Sequence, residues 1–190
     1  LLPQADTQLD AETHADLRLA SQTIAQRGQH LSQFIQSFKQ LSAPVQAELQ
    51  PVDLWLLLTH VQRLLAQELN QIQCNLQFPD PVPTLWLDPA LSTQVLINLI
   101  KNAVEALNNT PQATITCTLH FQDRWLLDIK DNGAGVASSA VDKLFIPFFT
   151  TKSSGSGIGL SLARMLMQAQ GGELSYIEQP SGACFRLRLS

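Results

Sequence analysis

Asp131-Asn132-Gly133-Ala134-Gly135 is the stretch that decides the fold. The apolar run Trp125-Leu126-Leu127-Asp128-Ile129-Lys130 leads into it as a strand, so Asp131 stands where a strand ends and a glycine-bearing turn begins. A carboxylate at that place can accept a hydrogen bond from an exocyclic amine, and Gly133 and Gly135 let backbone approach a flat ligand with no Cβ between. Adenine is flat and carries such an amine. The same residues also suit a plain Asp-Asn-Gly hairpin turn, and the flanking sequence separates the two readings.

Downstream, Gly155-Ser156-Gly157-Ile158-Gly159-Leu160 precedes the helical pattern Leu160-Ser161-Leu162-Ala163-Arg164-Met165-Leu166-Met167. Glycines entering a helix leave its first amide N–H groups free, and the helix dipole favours negative charge there, which suits phosphate oxygens. The run is neither a P-loop nor a dinucleotide fingerprint, since no Gly-Lys-Ser/Thr follows and no strand leads directly into it. A glycine cap without a ligand is the plainer alternative. Upstream, a helix from about Asp88 to Leu107 carries Leu91, Val95, Leu99 and Ala103 at helical spacing. Asn98 and Asn102 lie four apart on one face and Glu105 three beyond, so that face presents several oxygen ligands. Magnesium takes oxygen ligands and is shared between one or two protein groups and phosphates. Asn102 fits as its side-chain ligand.

Four motifs now stand in sequence. Asn98 to Ala103, Asp131 to Gly135, Phe145-Ile146-Pro147-Phe148-Phe149-Thr150-Thr151-Lys152, and Gly155 to Leu160 resemble, in this order, the asparagine, first glycine, phenylalanine and second glycine boxes of bacterial sensor histidine kinases. The resemblance covers residues 52–190, and the Pro-Phe-Phe-Thr-Thr-Lys form is most similar to the nitrogen-regulation branch. It implies an α+β two-layer sandwich of a mixed, largely antiparallel sheet and helices, the Bergerat ATP-binding fold, using ATP and Mg2+. It also implies a site made of Asn98, Asn102, Glu105, Asp131, Gly133, Gly135, Phe145, Thr150, Thr151, Lys152, Gly155, Ser156, Gly157, Ile158, Gly159 and Leu160. Asn98, Asn102 and Lys152 would be catalytic there, with Asn102 on the metal. The γ-phosphoryl would go to a histidine outside this fragment and then to the receiver domain of a response regulator, in a protein that is a homodimer when intact.

Composition limits other readings. The 190 residues are 45% hydrophobic, enough for a real core, and the net charge of −4 offers no electrostatic case for nucleic acid. Cys74, Cys117 and Cys184 lack metal-ligand spacing and read as reduced, mostly buried thiols of a cytoplasmic protein. Val52 to Leu58 is apolar but is broken by Asp53 and soon followed by His60, so no membrane span is expected, although the parent of a soluble fragment can be anchored in a membrane.

Residues 1–50 differ in character from residues 51–190, the expected ATP-binding domain. Leu17, Ile24, Leu31 and Phe38 recur seven apart, Ala20, Phe34 and Leu41 fill most of the alternate seam, and Arg27 interrupts it. A long amphipathic helix over about 11–42 is expected, ended by Pro44 and Pro51. A single apolar stripe of this kind usually finds another chain. The segment resembles the second helix of the dimerising hairpin of sensor kinases, whose first helix carries the phosphoacceptor histidine. His14, followed by Ala15 and Asp16, and His30, followed by Leu31 and Ser32, lack the acceptor's context, so the fragment is expected to begin after the acceptor.

Between these landmarks the pattern predicts a helix over Leu54 to Leu69, a short strand at Asn75 to Phe78 and a loop from Pro79 to Pro83 that leads to Leu85-Trp86-Leu87. It also predicts an Asp88-Pro89 helix start, a hairpin from Ala113 to Phe121 and Trp125 to Lys130, and a second hairpin from Glu173 to Ile177 and Ala183 to Leu189 around Pro180-Ser181-Gly182. The irregular stretch between Gly135 and Gly155 is long enough to be a lid, with Phe145, Phe148 and Phe149 as anchors and Lys152 within reach of phosphates. Asn98 bears most on mechanism. Topoisomerases, mismatch-repair proteins and heat-shock chaperones of this fold place a glutamate base four residues before the metal-binding asparagine. An amide takes no proton, so transfer rather than hydrolysis is expected. The alternatives are a hydrolysing ATPase of the same fold and a non-catalytic nucleotide-binding or dimerisation module.

Overall fold

The computed structural model describes residues 16–24, 28, 45–152 and 155–189. The chain divides into two compact units, Leu1–Gln40 and Leu41–Ser190. In the first, residues 16–24 are helical and exposed, Leu17 and Ile24 included. Gly28 is helical and exposed as well, and the remainder of the helix expected over 11–42, with His14 and His30, lies outside the described residues.

In the second unit the alternation of side chains along a strand decides where the core lies. In β4 (Thr114–Phe121) Ile115, Cys117 and Leu119 are buried at every second position. In β5 (Trp125–Asp131) Leu127, Ile129 and Asp131 continue the same face, because the antiparallel register sets Leu119 opposite Leu127, Cys117 opposite Ile129 and Ile115 opposite Asp131. The strand period thus carries a carboxylate onto the core-facing side of the sheet at the strand's last residue. Asp131 is only 3% exposed as a result.

The five-stranded sheet runs β2-β4-β5-β7-β6, with β2 at Gln73–Gln77, β6 at Glu173–Ile177 and β7 at Cys184–Arg188. β2 pairs parallel to β4 and the other pairs are antiparallel, so the sheet is mixed and largely antiparallel as expected. β6 and β7 form the second expected hairpin. One helical layer packs on the sheet: α1 (Leu54–Leu64), α2 (Pro89–Ala106) and α4 (Gly159–Ala169), with α4 beside α2. Both expected hairpins, and helices held to one face, make the two-layer α+β sandwich.

Asp88 starts α2 as its N-cap: Ala90 and Leu91 donate their amide N–H groups to Oδ1 at 2.9 and 3.0 Å, and Pro89 occupies the first turn. Glu48 N–H adds a bond to Oδ2 at 2.9 Å. Burial pushes this carboxyl up, but the three amide donors outweigh it and hold Asp88 below the usual carboxylate range.

Four boundaries depart from expectation. Regular helix α1 stops at Leu64 rather than Leu69, although Leu65 and Leu69 are still buried by the turns that follow. Strand β2 begins at Gln73, two residues early, because its partner β4 supplies ladder bonds to residues too polar to show a strand pattern. An unforeseen strand β1 (Gln50–Asp53) pairs with β3 (Thr84–Leu87) in a separate two-stranded sheet, where Pro51 sits opposite Trp86. Four residues with a proline and one buried side chain, Val52, carry too little periodicity to be read. The lid holds one short helix, α3 (Ser138–Val141).

Candidate nucleotide-binding site

Asp131 is held by backbone on two sides. Its Oδ1 accepts from Gly133 N–H at 2.9 Å and from Ala183 N–H at 3.2 Å, while its own N–H donates to Ala183 O at 3.0 Å. Both side-chain bonds fall on Oδ1, so Oδ2 keeps its lone pairs for an exocyclic amine. Burial raises the Asp131 pKa above the usual carboxylate range, against the opposing pull of the Gly133 and Ala183 amides and the Lys152 charge.

The glycines around this carboxylate are crowded by protein backbone. A Cβ at Gly133 would stand 2.5 Å from the Ala106 carbonyl oxygen at the end of α2, and one at Gly135 2.8 Å from the Gly182 oxygen. Protein backbone leaves no room for a side chain at either position. Gly182 is tighter still, with φ +71° and a Cβ position 1.9 Å from the Asp131 carbonyl oxygen. Three chain segments therefore meet at Asp131 with no side chain between them.

On α2, the helical period brings Asn98, Asn102 and Glu105 to the side that the lid covers. The Lys152 ammonium donates to Asn102 Oδ1 at 2.6 Å and to Glu105 Oε2 at 2.5 Å, joining two motifs fifty residues apart in the chain. Asn98 is half-buried. Its Oδ1 accepts from Gln94 Nε2 at 3.3 Å, while its Nδ2 is shielded and has no partner among the described residues. A shielded donor without an acceptor carries a cost that an anionic ligand oxygen removes.

The lid is closed at its base by backbone. Phe148 N–H donates to Gly157 O at 2.9 Å, and both residues have positive φ, +68° each. Gly157 has no room for a Cβ, which would fall 2.5 Å from the Phe148 carbonyl carbon. Phe145 packs on the core with Arg164 over its ring at 4.9 Å, Phe149 is half-buried under Lys143 at 5.8 Å, and the Phe148 ring is exposed. Thr150 Oγ1 accepts from Lys152 N–H at 3.0 Å and lies 2.6 Å from where a Gly155 Cβ would be. Thr151 is exposed beside it, and 153–154 lie outside the described residues.

The second glycine run ends in the start of α4. Ile158 is the N-cap, buried and without a side-chain capping bond, and Gly159 is the first helical residue. Ser156 Oγ approaches the Ile158 N–H at 3.4 Å. A Cβ on Gly159 would enter open space. A helix start without a side-chain cap, with Leu160 on the same turn, has amides that can take an anion.

The structure joins all four motifs: α2 to the lid through Lys152, β5 to α2 through Gly133, and the lid to the α4 start through Phe148 and Gly157. Sequence reasoning missed Gln94, Gly182 and Ala183. Gln94 could have been found from its place four residues before Asn98, whereas Gly182 looked only like a hairpin turn until β7 was seen to lie beside β5.

These features define an ATP-binding domain of the two-layer α+β kind. Residues 87–190 match the family described as histidine kinase-, DNA gyrase B-, and HSP90-like ATPase, and the chain belongs to it as the ATP-binding catalytic domain of a sensor histidine kinase. The chain is 31% identical over 172 residues to the sensor histidine kinase ZraS of Escherichia coli (strain K12), covering 89% of this chain and 37% of ZraS. Its identity to the signal transduction histidine-protein kinase AtoS of the same strain is 30% over 164 residues, or 84% of this chain and 27% of AtoS. Among solved structures it is similar to the catalytic domain of histidine kinase ThkA, with 26% identity, a TM-score of 0.67, and coverage of 75% of this chain and 95% of that one. Full-length ShkA in complex with AMPPNP shares 25% identity and a TM-score of 0.74, over 97% of this chain and 40% of that one. The chain thus spans well under half the length of the curated kinases it matches. No helix among the described residues is long and apolar enough to cross a membrane.

Proposed function

We propose that this domain holds ATP with Mg2+ and delivers the γ-phosphoryl to a histidine on a helix supplied by its parent protein, from which it passes to an aspartate of a response-regulator receiver domain. The intact protein works as a homodimer on the cytoplasmic side, where ATP is available. The observation that carries this reading is Asn98. It occupies the place of a hydrolytic base with an amide, and its shielded Nδ2 offers a hydrogen to a phosphate oxygen rather than accepting one from water. Likeness to ShkA, which was solved with AMPPNP, supports the nucleotide assignment.

Each side chain then has one task. Asp131 accepts the adenine amine on Oδ2. The amides at the α4 start, with Gly155, Ser156, Gly157, Ile158, Gly159 and Leu160, hold phosphate oxygens. Asn102, with Glu105 beside it, fits a metal, because this oxygen pair already takes a cation, the Lys152 ammonium. Magnesium, when bound there, neutralises charge on the phosphates. Lys152 can supply a point charge to the γ-phosphoryl and Thr150 orients the lid around it. Catalysis of this sort is positioning and charge neutralisation.

The test is incubation of the chain with Mg2+ and γ-labelled ATP, with and without a separately supplied acceptor-helix bundle from a sensor kinase. Acid-labile label on the supplied histidine with little free phosphate is expected. Rapid free phosphate without protein label would instead make the domain a hydrolase.

A further inference from the structure

Lys152 sits where the metal is assigned, on the same atom. Its ammonium lies 2.6 Å from Asn102 Oδ1 and 2.5 Å from Glu105 Oε2, and the same Asn102 oxygen is the side-chain ligand expected of Mg2+. An amide oxygen has two lone pairs and can in principle serve two partners. Two cations on one oxygen would stand only a few ångströms apart, however, and a dication beside an ammonium is repelled twice as strongly as one monovalent cation by another. The remaining carboxylate, Glu105, is half-exposed and cannot cancel three positive charges.

Resting on the metal assignment above, we propose that Lys152 and Mg2+ are mutually exclusive occupants of the Asn102–Glu105 oxygen pair. The lysine acts as a built-in cation that keeps bare metal out. A nucleotide resolves the conflict because its phosphates offer the ammonium a new anionic partner, so Mg2+ enters with ATP and not before it. Glu105 is the positioning residue of this exchange, since it holds the ammonium on the seat. The contact also ties the lid to α2, so the exchange that admits the metal releases the lid from that helix.

The experiment uses the whole 190-residue chain and Mn2+ as the probe, with free Mn2+ followed by electron paramagnetic resonance in the absence of nucleotide. Wild type should bind Mn2+ only weakly, and Lys152→Met should bind it at least tenfold more tightly. Lys101→Met removes the same charge from the exposed side of α2, where Lys101 lies 3.9 Å from Glu68, and should leave Mn2+ affinity unchanged. Glu105→Gln should not reproduce the Lys152→Met gain, because it removes a metal ligand together with the lysine's partner. Equal Mn2+ affinity in wild type and Lys152→Met, or an equal gain in Lys101→Met, overturns the proposal. The double variant Lys152→Met with Asn102→Ala separates the layers. Loss of the gained Mn2+ site supports both readings, whereas its persistence overturns the assignment of the metal to Asn102 itself.

Discussion

At the scale of single residues, the proposed chemistry rests on two side chains whose surroundings set what they can do. In the proposed site Asp131 accepts the adenine amine most strongly when ionised, and burial raises its pKa against the Gly133 and Ala183 amides and Lys152. Affinity for ADP should therefore fall as pH is lowered, beginning above the pH at which an ordinary aspartate protonates, and calorimetry between pH 4.5 and 8 measures this. Asp131→Asn should lower ADP affinity about 10- to 100-fold at neutral pH, the value of a hydrogen bond to a charged group, and should abolish that pH dependence. Asn98→Glu restores a base where the amide stands. Free phosphate release from Mg-ATP should rise at the expense of phosphoryl transfer, and unchanged release would remove Asn98 from the explanation of slow hydrolysis. Gly182→Ala forces a side chain into the Asp131 carbonyl at a positive φ. The backbone strain alone costs about 1–3 kcal/mol, and the clash adds to it, so the denaturant midpoint and ADP affinity should drop together.

At the scale of elements, α2 is the scaffold of the site, and its first turn sets where its asparagines fall. Asp88 caps it through Ala90 and Leu91, and its backbone N–H donates to Gln170 Oε1 at 3.1 Å, which ties the start of α2 to the end of α4. Asp88→Ala should cost about 1 kcal/mol, up to about 2, in urea unfolding at pH 7. The folded Asp88 carboxyl titrates below its unfolded value. Its contribution is therefore present above the ordinary aspartate pKa and is lost as pH falls through the depressed one. The stability difference between wild type and Asp88→Ala should accordingly shrink as pH is lowered below the ordinary aspartate pKa. The lid follows a different logic. Phe145 anchors it on the core, while the Phe148–Gly157 backbone bond and the Lys152 contacts close it over α2. Few of its described residues are buried, as the proposed opening and closing around a nucleotide requires.

At the scale of the whole molecule, one apolar layer between the helices and the sheet supports everything else. Leu127, fully buried at the centre of β5, sits between Leu119 and Leu187 in the register. Leu127→Ala should destabilise the domain by about 2–5 kcal/mol, measured by denaturant unfolding. The period-two burial of β4 and β5, the capped start of α2 and the two hairpins were legible in the sequence, because each depends on residues close together in the chain. The four motifs were legible for the same reason, and with them the ATP-binding class. Strand β1 and the first two residues of β2 were not, since their pairing partners lie 31 to 41 residues away and their own side chains carry no alternation. The protein neighbours of the glycines were hidden for a related cause: a missing Cβ shows that something comes close, and only the packed chain reveals the Ala106, Gly182 and Asp131 backbone there. The sequence by itself determined the fold class, the aspartate at the end of β5 and the amide four residues before Asn102, all of which follow from local pattern and residue chemistry. Only the tertiary structure placed Lys152 on the Asn102 oxygen and Gly182 against Asp131, because contacts across fifty residues depend on how strands and helices pack.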